Sequence, residues 1–182
     1  MYKHSEITSA TMLPVAGETA EWFAIHIRAR HEKKVAAELQ QRGITSFLPL
    51  LAKVHNWSDR RKMVELPLFS CYAFVQIVRD PKMRLSVLTT QGVLGFVGAN
   101  GQGTPIPTSQ IEDLRTIMLN RIPVYPQDFL KIGQRVRIRG GALNGIEGIL
   151  VRTKGDRQLV LSIETIQRSI SLSVEGYDIE PL

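Results

Sequence analysis

Apolar and aromatic side chains fill nearly every position from Glu21 to Ile27. Such a run predicts a strand with apolar side chains on both faces: Trp22, Ala24 and His26 on one, Phe23, Ile25 and Ile27 on the other. His26 reads there as a core or edge histidine. The period then changes. From Arg30 to Arg42, Val35, Ala36 and Leu39 recur at helical spacing, and Gly43 supplies a stop. Ile44 to Val54 reads as a second strand in which Pro49 marks an edge or a bulge. His55 to Met63 is the polar tip of a long hairpin, and Val64 to Val78 is the returning strand, interrupted at Pro67. Asp80-Pro81 starts a second helix by cap and first-turn chemistry, running to about Gln91. Gly92 to Gly98 is a short apolar strand, Asn100 to Thr104 a glycine turn. Ser109 is the expected cap of a third helix carrying Ile111, Leu114, Ile117 and Met118 on one face. The order βαββαβ is that of a ferredoxin-like sandwich.

Beyond the proline-rich stretch 121–128 the pattern shortens. Val136 and Ile138 alternate with arginines, Gly140 to Gly145 forms a turn, and Ile146 to Val151 follows with Gly148 inside it, a sign of a bend or a close backbone approach. Gln158 to Ile163 and Arg168 to Val174 complete an antiparallel meander, which predicts a small SH3-like barrel. β-branched residues at Val136, Ile138, Ile149, Val151, Val160, Ile163, Ile170 and Val174 favour a stable β form of this tail. The chain is thus α+β, with a disordered leader over 1–20, a mixed domain over 21–120, a linker over 121–128 that its prolines make a semi-rigid spacer, and a barrel domain over 129–182.

Composition adds bounds. No apolar run approaches the ~18 residues of a membrane span, and one cysteine, Cys71, fits a reducing cytoplasm. The net charge of +6 is localised. Between His26 and Lys62 stand Arg28, Arg30, Lys33, Lys34, Arg42, Lys53, Arg60, Arg61 and Lys62 against Glu32, Glu38 and Asp59, an excess equal to that of the whole chain. A basic region of this kind draws nucleic acid by counterion release, or forms a solvated surface.

The search for catalytic chemistry is nearly empty. His4, His26, His31 and His55 lack companions at metal-ligand spacing, Cys71 reads as a structural thiol, and the glycines of 98–103 lack the lysine and the immediate helix of a phosphate loop. Neither an enzyme nor a cofactor or metal is expected. Three constellations remain. Phe69, Tyr72 and Phe74 are large side chains on or beside one strand, with Tyr72 and Phe74 on the same face; from these residues alone, ordinary core packing is the favoured reading. Arg28, Arg30, His31 and Lys34 cluster where a strand meets a helix N-terminus, a place suited to phosphate. Trp57 with Arg60, Arg61 and Lys62 at the hairpin tip suits stacking on an unpaired base, or a Trp folded back on its own hairpin.

These residues carry a resemblance. Trp22-Phe23-Ala24 followed by Arg30 to Ala36, then Leu66-Pro67-Leu68-Phe69-Ser70-Cys71-Tyr72-Ala73-Phe74-Val75, then Gly133 to Gly148 resemble, in order, the first strand and helix, the Phe-Pro-Gly-Tyr-Val-Phe-Val strand and the KOW motif of NusG-type transcription elongation factors. Ser70-Cys71 departs from that pattern by replacing Pro-Gly. The wording of Arg28 to Lys34 and Asn56 to Arg60 is closer to the specialised RfaH-, LoaP- and UpxY-like antiterminators. The resemblance implies an NGN domain followed by a KOW domain, the KOW motif lying on Val136, Ile138, Gly141, Gly145 and Gly148. It implies that Phe69, Tyr72, Phe74 and Ile111 grip the clamp helices of RNA polymerase and that Met83 and Arg84 lie near its gate loop. Nontemplate DNA would meet Arg28, Arg30, His31 and Lys34, and the barrel would recruit a small-subunit ribosomal protein or Rho. A monomeric cytoplasmic protein that suppresses pausing or termination is the expected whole. The alternative is a KOW-type RNA- or ribosome-binding module with no polymerase role.

Overall fold

A computed structural model describes residues 19–56, 61–127, 133–153 and 156–182. All but the last two residues of the expected leader lie outside that range. In chain order the elements are β1 (Glu21–Ile27), α1 (Glu32–Gln41), β2 (Thr45–Phe47), β3 (Leu50–Asn56), β4 (Arg61–Pro67), β5 (Tyr72–Ile77), α2 (Pro81–Leu88), β6 (Val93–Phe96), β7 (Pro105–Ile106), α3 (Thr108–Leu119), β8 (Tyr125–Gln127), β9 (Gln134–Arg139), β10 (Glu147–Thr153), β11 (Asp156–Ile163), β12 (Arg168–Ser173) and β13 (Asp178–Pro181).

β2, β5, β1 and β6 form an antiparallel sheet in that order, and β7 extends it by pairing with the start of β1. With α1 and α2 this is the ferredoxin-like arrangement. The alternation in β1 sorts the residues as its sequence predicts. Phe23, Ile25 and Ile27 join Ala73, Val75 and Ile77 of β5 in a core with Val35 and Leu39 of α1 and Val87 of α2. Trp22 and Ala24 lie on the other face with Phe74, covered by Ile111, Leu114 and Ile117 of α3.

Boundaries depart from the sequence reading for local reasons. The long strand expected over 44–54 splits at Pro49, whose carbonyl accepts a hydrogen bond from the Leu68 amide (2.8 Å). β3 and β4 pair only with each other and leave the main sheet as a hairpin. α1 begins at Glu32 because Arg30 has φ 65°, outside the helical region. α2 ends at Leu88 rather than Gln91: the Thr90 hydroxyl donates to the Ser86 carbonyl (3.1 Å), an i−4 bond that competes with helix continuation. At its start the Asp80 carboxylate accepts from the Met83 amide (3.0 Å), the predicted cap. α3 starts at Thr108 behind Pro107, and no side chain caps it, so Ser109 lies inside the helix.

The C-terminal strands form a six-stranded antiparallel meander, β13-β9-β10-β11-β12-β8, as expected of a small SH3-like barrel. Val136, Ile138, Leu159, Ile170 and Leu172 fill its core. A Cβ on Gly148 would stand 2.7 Å from the Val160 carbonyl oxygen and 2.9 Å from Leu159, so the strands approach as closely as they do because that position is glycine. Gly141 and Gly145 take φ 65° and 88° in the turn before β10.

The stretch expected as a spacer is built into this fold. Tyr125–Gln127 pairs with β12, Pro126 opposite Ile170. Val124 is buried in the apolar cluster, and Ile122 packs against that cluster. The apolar cluster beneath α3 runs on without a break into the barrel core, and α3 lies against the turn at Gly141–Leu143.

Candidate functional site

The face of the main sheet under α3 is aromatic. The register pairs Ala24 with Phe74, His26 with Tyr72 and Phe47 with Phe74, which aligns these side chains across three strands. Phe69, in the turn before β5, meets Phe74 edge-on at 6.1 Å, and Phe47 stacks on Phe74 at 6.1 Å. Ile111 closes the cluster from α3. The four residues that the resemblance assigns to the clamp helices are therefore brought together. Phe69, Phe74 and Ile111 are fully buried and make a floor, whereas Tyr72 is half-buried at the rim. Four neighbours have no signal of this role in the sequence: Trp22, Phe47, Arg115, whose guanidinium lies over both rings at 4.9 and 5.3 Å, and His26, which is exposed and stacks on Tyr72 at 5.3 Å. Period-two alternation puts Trp22 and His26 on this face, but only the cross-strand register shows what they meet.

Met83 and Arg84 lie elsewhere. Met83 packs against the core under α1 and α2. The Arg84 guanidinium sits 4.3 Å over Phe96 and donates to the Gly101 carbonyl (3.3 Å). Neither joins the aromatic face. The large apolar side chains that α2 exposes are Leu85 and Leu88.

Cys71 occupies the departure from the Pro-Gly pattern and adopts φ 69°, the left-handed conformation that glycine takes at little cost. Its amide donates to Glu32 Oε1 (2.9 Å) and its carbonyl accepts from the Ile27 amide (2.8 Å). The turn that carries Phe69 and Tyr72 is thereby fastened to β1 and α1.

The basic turn lies between β1 and α1. Arg28, Arg30, Lys33 and Lys34 are exposed, and His31 is half-buried. His31 Nδ1 lies 3.0 Å from the Ala29 carbonyl oxygen, and Lys34 donates to Gln91 Oε1 (2.6 Å). Lys33 pairs with Glu65 of the hairpin at 3.6 Å. Trp57 and Arg60 lie outside the described residues. Arg61 and Lys62 are placed by their backbone at the start of β4.

On the barrel, Arg135, Arg137 and Arg139 point away from Val136 and Ile138 and are matched by Glu147 and Glu180. Arg137 Nε donates to Glu147 (2.8 Å), and Arg139 meets Glu180 at 2.5 Å. The hydrogen bond from Arg139 holds the Glu180 carboxyl below its ordinary range, although burial opposes it. A cleft of about 380 Å³ separates these strands from Gln110, Asp113 and Leu114 of α3. Burial there, with Glu147 and then Glu112 adding negative charge, pushes the Asp113 carboxyl up to about 6. No helix among the described residues is long and apolar enough to cross a membrane.

Comparison with known proteins bears on the family and the fold. The family model described as transcription termination factor nusG matches residues 20–115. The transcription termination/antitermination protein NusG of Lactococcus lactis is 27% identical, covering 88% of this chain and 92% of that protein. NusG of Borreliella burgdorferi is 24% identical, over 88% and 98% of the two chains. Among solved structures, one described as domain interaction in Thermotoga maritima NusG matches with a TM-score of 0.54 at 16% identity, covering 90% of this chain and 97% of that one, a likeness of fold.

Proposed function

This chain belongs to the NusG family of transcription termination/antitermination factors, and on that premise we propose that it binds elongating RNA polymerase through the aromatic face of its N-terminal sheet and suppresses pausing or termination. The observation that carries this reading is the assembly of Phe69, Tyr72, Phe74 and Ile111 into one cluster on a rigid sheet, with Tyr72 left at the rim. Aromatic anchors on a stiff support are what a partner helix docks against, and the clamp helices of the polymerase are the partner that the family resemblance implies. Arg28 and Arg30, exposed at the adjoining turn, would contact nontemplate DNA, with His31 and Lys34 at the same place. α2, carrying Met83 and Arg84, would face the gate loop. The barrel would recruit a ribosomal protein or Rho. The three arginines of β9, Arg135, Arg137 and Arg139, are matched by Glu147 and Glu180, which favours a protein partner over RNA on that strand. The wording of Arg28–Lys34 supports a role like that of the specialised antiterminators, carried out by a cytoplasmic monomer without enzymatic chemistry.

Single-round transcription by purified bacterial RNA polymerase over a pause-rich template tests the proposal. Faster passage through pauses, abolished by Tyr72→Ala, is the expected result. If core polymerase without nascent RNA fails to retain the protein while ribosomal subunits capture it, the KOW-type ribosome- or RNA-binding reading replaces this one.

A further inference from the structure

Glu32 is the one charged side chain buried among the described residues, at 6% exposure. A carboxylate taken out of water is retained where hydrogen bonds and local potential compensate it. Two features do so. Glu32 is the first residue of α1, where the helix N-terminus favours negative charge. Its Oε1 also accepts the amide of Cys71, 39 residues away in sequence.

The position of that bond is informative. Glu32 stands within the basic stretch Arg28 to Lys34. Its carboxylate reaches across to the turn that ends in Tyr72. The Cys71 peptide is held from both directions: Glu32 takes its N–H, and the Ile27 amide donates to its carbonyl. The next residue, Arg28, is fixed by its own amide to the Gly92 carbonyl (2.8 Å), and the preceding one, His26, stacks on Tyr72. Because Cys71 is kept at φ 69°, a conformation that is unfavourable for a residue with a side chain, this turn would relax if a fastening were removed.

We infer that Glu32 is a positioning residue that locks the aromatic face and the basic turn into one fixed register, so that polymerase and nucleic acid are engaged as a unit. The inference rests on the function proposed above and adds to it a residue that touches neither partner. Loss of the acceptor frees the 69–72 turn, withdraws the Tyr72 ring from its place beside His26, and uncouples it from Arg28.

The test uses the full chain with Glu32→Ala and Glu32→Gln, the latter keeping an acceptor oxygen at the same reach. Amide hydrogen exchange at Cys71 and affinity for core polymerase are measured together with thermal unfolding. With Glu32→Ala, exchange at Cys71 accelerates by about tenfold or more and polymerase affinity falls by about tenfold, the range expected when a hydrogen bond to a charged group is removed. Glu32→Gln restores both to within about threefold. Unchanged exchange at Cys71 in Glu32→Ala overturns the inference. So does faster exchange with undiminished polymerase affinity, provided that Tyr72→Ala weakens binding. If Tyr72→Ala also leaves affinity intact, the polymerase reading itself has failed, and the positioning role falls with it. Should Glu32→Ala not fold, Glu32→Asp decides. It keeps the charge at the helix start but draws the acceptor back by one methylene, so weakened binding with fast exchange supports the inference and wild-type behaviour overturns it.

Discussion

The two faces of the N-terminal sheet are built from the same strands and meet different fates. Beneath α1 and α2, Phe23, Ile25, Ile27, Ala73, Val75 and Ile77 pack into a core completed by neighbouring segments of the chain. On the opposite face Trp22, Phe47 and Phe74 are covered by α3, the cluster continues into the barrel, and Tyr72 and His26 reach the rim. The first face has the apolar, evenly filled composition that a closed core needs. The second combines large aromatics, a stacked histidine and an arginine over two rings, which is the composition of surfaces that hold a partner. Alternation alone makes both faces; what differs is how far along the chain the cover comes from.

The largest expected effects separate stability from binding. Ile25→Ala opens a cavity in the closed core and lowers unfolding free energy by about 3 kcal/mol in chemical denaturation, with polymerase affinity per folded molecule unchanged. Phe74→Ala, equally buried on the other face, loses about 3–5 kcal/mol of stability. It is therefore a poor probe of binding. Tyr72→Ala is the sharper one: half-buried at the rim, it leaves the fold standing and weakens polymerase binding by about 2 kcal/mol. If the Ile25 and Tyr72 variants lose stability and affinity in the same proportion, the two faces do not differ in kind.

A smaller effect tests the junction between the faces. Cys71→Gly relieves a left-handed backbone at φ 69° while keeping the amide that Glu32 accepts. It gains about 0.5–1 kcal/mol, the relief being partly offset by the greater freedom of glycine in the unfolded chain. Destabilisation instead would show that the cysteine side chain contributes packing that outweighs the strain. At the basic turn, Arg30→Ala flattens the salt dependence of single-stranded DNA binding by up to ~0.7 log units, the share of one phosphate that the variant leaves unneutralised.

How much of this was legible in the sequence follows from the range of each interaction. The two faces of β1, the cap at Asp80, the stop at Gly43 and the close approach at Gly148 are local, and period or residue chemistry announces them. The cluster members Phe69, Tyr72, Phe74 and Ile111 were reached by resemblance, and nothing in their spacing distinguishes a floor from a rim. Pro49 announced a break but not that β3 and β4 leave the main sheet, since which strand they pair with depends on distant register. Pro126 argued against a strand over Tyr125–Gln127. The strand forms because β8 is at the edge of its sheet, where a residue without N–H costs no ladder bond on the open side. The Glu32–Cys71 bond had no sequence signal, because a backbone donor 39 residues away leaves no pattern.

The smallest expected effect concerns the seam where α3 meets the barrel. Asp113 lies in the cleft there. Burial raises its carboxyl, with Glu147 across the cleft and Glu112 on its own helix adding to the rise, to about 6 from 3.8. The folded protein thus favours the protonated acid more than the unfolded chain does. The contribution of Asp113 to stability is fully present below about pH 3.8 and is lost as pH rises through about 6. Glu180 acts oppositely: its carboxyl is lowered, so its contribution is present above the ordinary carboxylate range and is lost as pH falls through its depressed value. Between pH 5 and 7 Asp113 is the one of the two that titrates. Asp113→Asn carries no charge at any pH, so its thermal midpoint gains on the wild type as pH rises from 5 to 7. The seam is where the gain arises, since Glu147 reaches Asp113 only while α3 and the barrel are together. Glu147→Gln therefore reproduces part of it, reduced because Glu147 is already paired with Arg137. Parallel pH profiles for Asp113→Asn and the wild type would show that Asp113 is as well solvated in the folded chain as in the unfolded one, and that the cover over the aromatic face is looser than the closed core behind it.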